Sequence, residues 1–83
     1  MKGNNTTNNM LLASFHIHGY GRMELSMLYS PHVSPETAWR RLKRSIHRYP
    51  GLLDALRAIG YTSKCRSFTS AQVKKIVECI GEP

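Results

Sequence analysis

Acidic side chains are scarce in this chain. Five Asp and Glu stand against twelve Lys and Arg in 83 residues, a net charge of +7. The five, Glu24, Glu36, Asp54, Glu78 and Glu82, are scattered along the chain and supply no paired carboxylates for general acid–base work. Cysteine is nearly absent too. Cys65 and Cys79 form no C-x-x-C spacing, and the four histidines show no H-x-x-x-H pattern, so no structural zinc site is expected. Two cysteines are not a secreted framework; two free thiols in a reducing cytoplasm are expected rather than a bridge. No stretch of about 20 apolar residues exists, so no membrane span is expected. Gly19 and Gly21 lack the spacing and the Gly-Lys-Ser/Thr ending of a phosphate loop. Together these absences predict a protein that is not an enzyme and uses no cofactor and no metal.

Aromatics are few, at 8%. Tyr20, Trp39, Tyr49, Tyr61 and Phe68 do not alternate with basic residues along a strand, which argues against a single-strand stacking platform. Apolar content of 41% allows a modest core, with oligomerisation as a further source of stability.

Positive charge is what the chain has in excess, and it is concentrated in one stretch, Ser34 to Arg48. Ser34 can cap a helix and Pro35 suits the first helical position. On a helical wheel Ala38, Trp39, Leu42, Ile46 and Tyr49 share one face. Arg40, Arg41, Lys43, Arg44, His47 and Arg48 take the opposite face. One side of this helix is thus fit for a core, and the other presents five fixed positive charges to a polyanion.

Around it the pattern predicts a single domain. Residues 1–9 are polar and without periodicity, and a disordered leader over 1–12 is expected, with Met10 a second candidate start. Residues 13–19 alternate, Phe15 and Ile17 against His16 and His18, the period of a half-buried strand that Gly19-Tyr20-Gly21 then breaks. Residues 22–29 form a short helix facing inward through Leu25, Leu28 and Tyr29 and stopped by Pro31. The basic helix ends near Tyr49 because Pro50 follows. A third helix over 51–59 turns Leu52, Leu53, Leu56 and Ile59 inward and is capped by Gly60. Tyr61 to Ser67 is a connector able to form a strand, a hairpin or a small wing. Thr69 to Gln72 is a capping box opening a fourth helix, with Val73, Ile76, Val77 and Ile80 as its apolar stripe. The fold class expected is mainly α: a small four-helix domain over 13–83, helix-turn-helix-like, with a short N-terminal strand.

Two helices joined by a short turn, the second basic on its outer face, is the helix-turn-helix arrangement. The expected function is double-stranded DNA binding, with the second helix inserted in the major groove and dimeric binding. Arg40, Arg41 and Arg44 are placed for base edges or phosphate, because a guanidinium fork matches both. Thr37 reaches the same surface from the first turn. Lys43 and Arg48 suit phosphate, and Lys64 and Arg66 could touch backbone or minor groove from a wing. The alternative is a protein-interaction or accessory module whose basic face binds an acidic protein partner.

Two resemblances rest on particular residues. Tyr20-Gly-Arg-x-Glu-Leu25, Leu28-Tyr29, Ala38-Trp-Arg-x-Leu42-Lys-Arg, Pro50-Gly-Leu, Gly60-Tyr and Arg66-x-Phe-Thr-x-x-Gln-Val-x-x-Ile76 resemble a family of short proteins from Bacteroides-type bacteria, a domain of unknown function. That resemblance covers about residues 13–83 and implies no established activity. Glu24-Leu-Ser26, Val33-Ser-Pro-Glu-Thr37 and Arg40-Arg-Leu42 are similar to the helix-turn-helix of MerR and excisionase-like regulators. Arg66-Ser-Phe-Thr-Ser-Ala-Gln-Val73 resembles the segment after their wing, where an aromatic residue and a capped helix close the core. The second resemblance implies DNA binding through residues 37–48.

Overall fold

A computed structural model of the chain describes residues 15–83. The expected leader over 1–12 and the alternative start at Met10 lie outside the described residues.

Four helices and one two-stranded antiparallel ribbon make up the fold. Strand β1 is Tyr20–Gly21, helix α1 Arg22–Tyr29, α2 Pro35–Arg48, α3 Leu52–Ala58, strand β2 Ser67–Phe68 and α4 Ser70–Ile80. The ribbon pairs Tyr20 with Phe68 and Gly21 with Ser67. A further bond, from the Arg22 N–H to the Arg66 carbonyl at 2.8 Å, carries the pairing into the start of α1.

Local chemistry sets the helix ends. At α2, Ser34 Oγ accepts from the Thr37 N–H and Pro35 occupies the first turn. Tyr49 leaves the helix with ψ 120°, the extended geometry that a following proline imposes. At the end of α3, Gly60 adopts φ 98°. Its N–H donates to the Arg57 carbonyl, and the Tyr61 N–H donates to the Leu56 carbonyl at 3.0 Å. This paired closure needs left-handed backbone at the glycine, and it lays Tyr61 over Leu56. At α4, Thr69 and Gln72 exchange bonds of 2.9 and 3.2 Å. The Gln72 amide also donates to the Ile59 carbonyl at 3.1 Å, so the cap of α4 is tied to the end of α3.

The core is one cluster drawn from every element. Leu25, Leu42, Ile46, Leu52, Leu56, Phe68, Val73 and Ile76 are buried, with Tyr20 and Tyr61 at its edges. The Tyr61 ring stacks on Phe68 at 5.5 Å between centroids. Helix α1 packs along α2 more extensively than any other pair of elements.

Four expectations from the sequence are corrected. Among the described residues the strand expected over 13–19 does not form: residues 15–19 are irregular, and the strand begins at Tyr20, where a break is expected. The segment turns back instead, since the Tyr20 hydroxyl donates to the His16 carbonyl at 2.7 Å. Phe15 and His18 stack on the Tyr20 ring, which leaves Ile17 in solvent. In α1 the inward position expected for Leu28 is taken by Ser26, which is fully buried. Its hydroxyl donates to the Arg22 carbonyl one turn back, and that satisfied hydroxyl tolerates burial. Leu28, Tyr49 and Ile59 are 43%, 42% and 41% exposed, Tyr49 and Ile59 because they sit past their helix ends, where the backbone has already turned away. Trp39 is half-buried on the flank of the core rather than within it. The connector from Tyr61, for which the sequence leaves a strand, a hairpin and a wing open, takes the strand: a turn at Ser63–Lys64 leads into β2, whose partner is β1.

Candidate nucleic-acid interface

The basic face of α2 is built by a rigid, capped helix whose other side is locked in the core through Ala38, Leu42 and Ile46. Arg40, Arg41, Lys43, Arg44 and Arg48 are all exposed, as is His47. Arg40, Lys43, Arg44 and His47 converge on one open depression. The single ion pair among the described residues is Lys75 with Glu78 at 3.5 Å on α4. Among the described residues no carboxylate therefore forms an ion pair with a cation of this face, which leaves its charge open to an anionic partner.

The remaining site residues of the sequence reading stand apart. Thr37 is half-buried, and its Oγ1 accepts from Ser34 Oγ at 3.0 Å while its N–H donates to the same oxygen. Its hydroxyl is thus engaged in the cap of α2. Lys64 is exposed in the turn, with its N–H on Thr62 Oγ1. Arg66 is exposed at the entry to β2, and its carbonyl accepts from the Arg22 N–H. Neither Lys64 nor Arg66 joins the depression formed by Arg40, Lys43, Arg44 and His47.

A second concavity, of about 220 Å³, opens beside this face between α2, α3 and the connector. Arg22, Trp39, Lys43, His47, Arg57 and Tyr61 line it. Of these, Lys43 and His47 belong to the expected face. Arg22, Trp39 and Tyr61 fall in stretches that carry the family resemblance, but no spacing joins them to Arg57 or to one another as a site, and periodicity marks Trp39 only as core. Four separate elements bring them together, a tertiary fact that spacing along the chain does not encode.

Arg22 is the organising side chain. Its guanidinium lies 5.0 Å from the centre of the Trp39 ring, and Nη1 donates to the Cys65 carbonyl at 3.3 Å. Lys43 Nζ lies 6.0 Å from the same ring. Both are at cation–π range, which holds the two cations at the mouth of the cleft. The Tyr61 phenol is pushed above its ordinary value by burial, against the opposing pull of Arg22 and Arg57.

Cys65 and Cys79 are free thiols. Thr62 hydrogen bonds draw the Cys65 thiol below its ordinary value, and its neighbours within bonding reach are Thr62 and Gly60. Among the described residues no three His, Cys, Asp or Glu side chains gather as a metal ligand set, and no helix is long and apolar enough to cross a membrane.

A family model described as "Domain of unknown function (DUF4248)" matches residues 16–83. Neither the curated proteins nor the solved structures contain a match to the chain.

Proposed function

The chain belongs to the DUF4248 family of domains of unknown function, and we propose that it is a non-catalytic, cytoplasmic protein that binds double-stranded DNA through the outer face of α2. The observation that carries this reading is the exposed set Arg40, Arg41, Lys43, Arg44 and Arg48, none of them ion-paired among the described residues, on a helix anchored by its opposite side. Arginines on a preorganised helix lose little entropy on meeting phosphate, and their forks suit both phosphate oxygens and the guanine edge.

The arrangement of α1 and α2 supports the same reading. They pack along each other and are joined by the five residues Ser30 to Ser34, the relation of a positioning helix to a recognition helix. The resemblance of its sequence to MerR and excisionase-like regulators adds to this reading. Lys64 and Arg66 lie on a turn and a strand entry rather than in a hairpin wing, so they are assigned to peripheral phosphate contact. Dimeric binding belongs to the same proposal, since one helix of this length covers only part of a groove.

The test is a pair of variants measured for binding to a random-sequence duplex by fluorescence anisotropy. Arg40→Ala/Arg44→Ala removes two exposed side chains and leaves the core untouched. It is expected to weaken binding by about 2–4 kcal/mol, whereas Lys74→Ala on exposed α4 leaves it within about 0.5 kcal/mol. Equal affinity for both variants would reject the α2 face. Retained affinity for an acidic protein, with none for DNA, would put the interaction-module alternative in its place.

A further inference from the structure

We propose that the cleft between α2, α3 and the connector is a nucleotide site, with the phosphate held by Arg22, Arg57 and Lys43 and the base set against Trp39. The inference goes beyond the duplex-binding reading and shares with it only Lys43 and His47; Arg22, Trp39, Arg57 and Tyr61 lie off the basic face of α2.

Charge comes first. Arg22, Lys43 and Arg57, with His47 beside them, surround a concavity of about 220 Å³ that no carboxylate lines. Arg22 is only half exposed, and among the described residues it has no acidic partner. A guanidinium always carries its charge, so Arg22 with no carboxylate beside it has that charge free for an anion. Arg22 is also fixed in place, by the Cys65 carbonyl at 3.3 Å and by the Trp39 ring, so its free donors are preorganised. A phosphate monoester, carrying close to two negative charges and three acceptor oxygens, matches this set.

The walls say what the phosphate is attached to. Trp39 and Tyr61 line the same cleft. Tyr20 and Tyr29 each donate their hydroxyl to a carbonyl, those of His16 and Gly81. The Tyr61 hydroxyl, on a residue 8% exposed, has no such partner among the described residues, and neither does the indole N–H of half-buried Trp39. Two unspent donors beside an aromatic wall suit a heteroaromatic ring bearing acceptors, which a nucleobase supplies and a plain anion does not. The cleft is smaller than the pockets that enclose drug-sized ligands, so it takes the phosphate and one edge of the base and leaves the sugar facing out. Lys43 and His47 line both the cleft and the open depression on α2, so a strand seated by its terminal phosphate could continue onto the α2 face. The shared chemistry is a 5′-phosphate with its base; the source is a free mononucleotide or a phosphorylated strand end.

The experiment uses the full chain in solution and follows the Trp39 indole N–H by NMR, a single reporter because the protein has one tryptophan. The probes are adenosine 5′-monophosphate, adenosine, inorganic phosphate, O-phosphotyrosine, and a short single strand with and without its 5′-phosphate. The monophosphate is expected to shift the signal to saturation, with adenosine and inorganic phosphate each weaker by about tenfold or more. A phosphorylated strand that binds more tightly than the monophosphate and loses about tenfold without its 5′-phosphate identifies strand ends as the source; a strand indifferent to its 5′-phosphate identifies the free nucleotide. Arg57→Gln alters an exposed residue of α3 and is expected to weaken the monophosphate about tenfold while keeping duplex affinity. Arg40→Ala/Arg44→Ala is expected to do the reverse, so failure of the cleft and failure of the α2 face are told apart. Arg22→Gln provides a second loss within the cleft. Adenosine, inorganic phosphate or O-phosphotyrosine binding as tightly as the monophosphate would overturn the proposal, as would unchanged affinity in a folded Arg57→Gln protein.

Discussion

The Arg22 guanidinium stands 5.0 Å from the centre of the Trp39 ring, which joins the first turn of α1 to the flank of α2. Trp39 in turn leans on Phe68 at 6.1 Å between centroids, so one side chain links the cation to the core. A half-buried tryptophan in this setting contributes less than a fully enclosed one. Trp39→Ala is expected to cost about 2–3 kcal/mol, below the range for a buried Trp, and Arg22→Ala about 1 kcal/mol through the lost cation–π contact and carbonyl bond. Urea denaturation of the single and double variants would show a coupling of the two losses; strict additivity would mean that the contact carries no energy.

Gln72 joins two helices with one amide. Its Oε1 accepts from the Thr69 N–H and its Nε2 donates to the Ile59 carbonyl, at 2% exposure. Gln72→Ala is expected to destabilise by about 2–3 kcal/mol, because a cap is lost and a nearby carbonyl is left unpaired. Gln72→Glu keeps the cap acceptor and loses the donor to Ile59, so it is expected to fall between the two. Thermal melts of all three proteins check the order, and a Gln72→Glu protein as stable as wild type would remove the Ile59 bond from the account.

Gly60 at φ 98° closes α3 and positions Tyr61. Gly60→Ala is expected to cost about 1–2 kcal/mol from backbone strain alone, since the added methyl would meet only the Gln72 amide at 3.8 Å. Gly60→Asn, which tolerates left-handed backbone better, is expected to cost less, and chemical denaturation distinguishes them.

The Tyr29 hydroxyl donates to the Gly81 carbonyl. Burial first, and the Glu82 charge second, push its phenol from 10.0 up to about 12. The folded state thus holds this proton more tightly than the unfolded chain does. Its contribution is fully present below pH 10 and is lost as pH rises through about 12. Absorbance titration of the phenolates is expected to show, besides the raised Tyr61, a tyrosine titrating near 12 that Tyr29→Phe removes. Four ordinary phenolates in the folded protein would contradict this placement.

What the sequence discloses and what it hides divides along range. Ser34 with Pro35, Thr69 with Gln72, and Gly60 act on backbone within a few residues of themselves, so the bounds of α2, α3 and α4 are readable from them. The ribbon is not readable in the same way. Tyr20–Gly21 becomes strand only because Ser67–Phe68 lies against it, and the alternation of Phe15 to His18 mimics a strand while its rings in fact gather on Tyr20. Facing fails where a polar side chain satisfies itself, as Ser26 does, and where a residue follows a helix end, as Tyr49 and Ile59 do. The α2 face is legible because its charges repeat with the helix period. The cleft is not, because Arg22, Trp39, Arg57 and Tyr61 come from four elements and share no spacing.

The central claim is that the α2 face meets phosphates, and the salt dependence of duplex binding tests it most directly. Each phosphate neutralised releases counter-ions, so the five α2 contacts of each bound protomer alone contribute about −4 to −5 to the slope of log affinity against log salt. Removing Arg40 and Arg44 is expected to lower that contribution by about 2 with the helical content unchanged. Duplex affinity measured from low to physiological salt in both proteins gives the answer. A steep slope that flattens in Arg40→Ala/Arg44→Ala is the expected result; no binding at low salt by folded protein, or a slope the two substitutions leave unchanged, would contradict it.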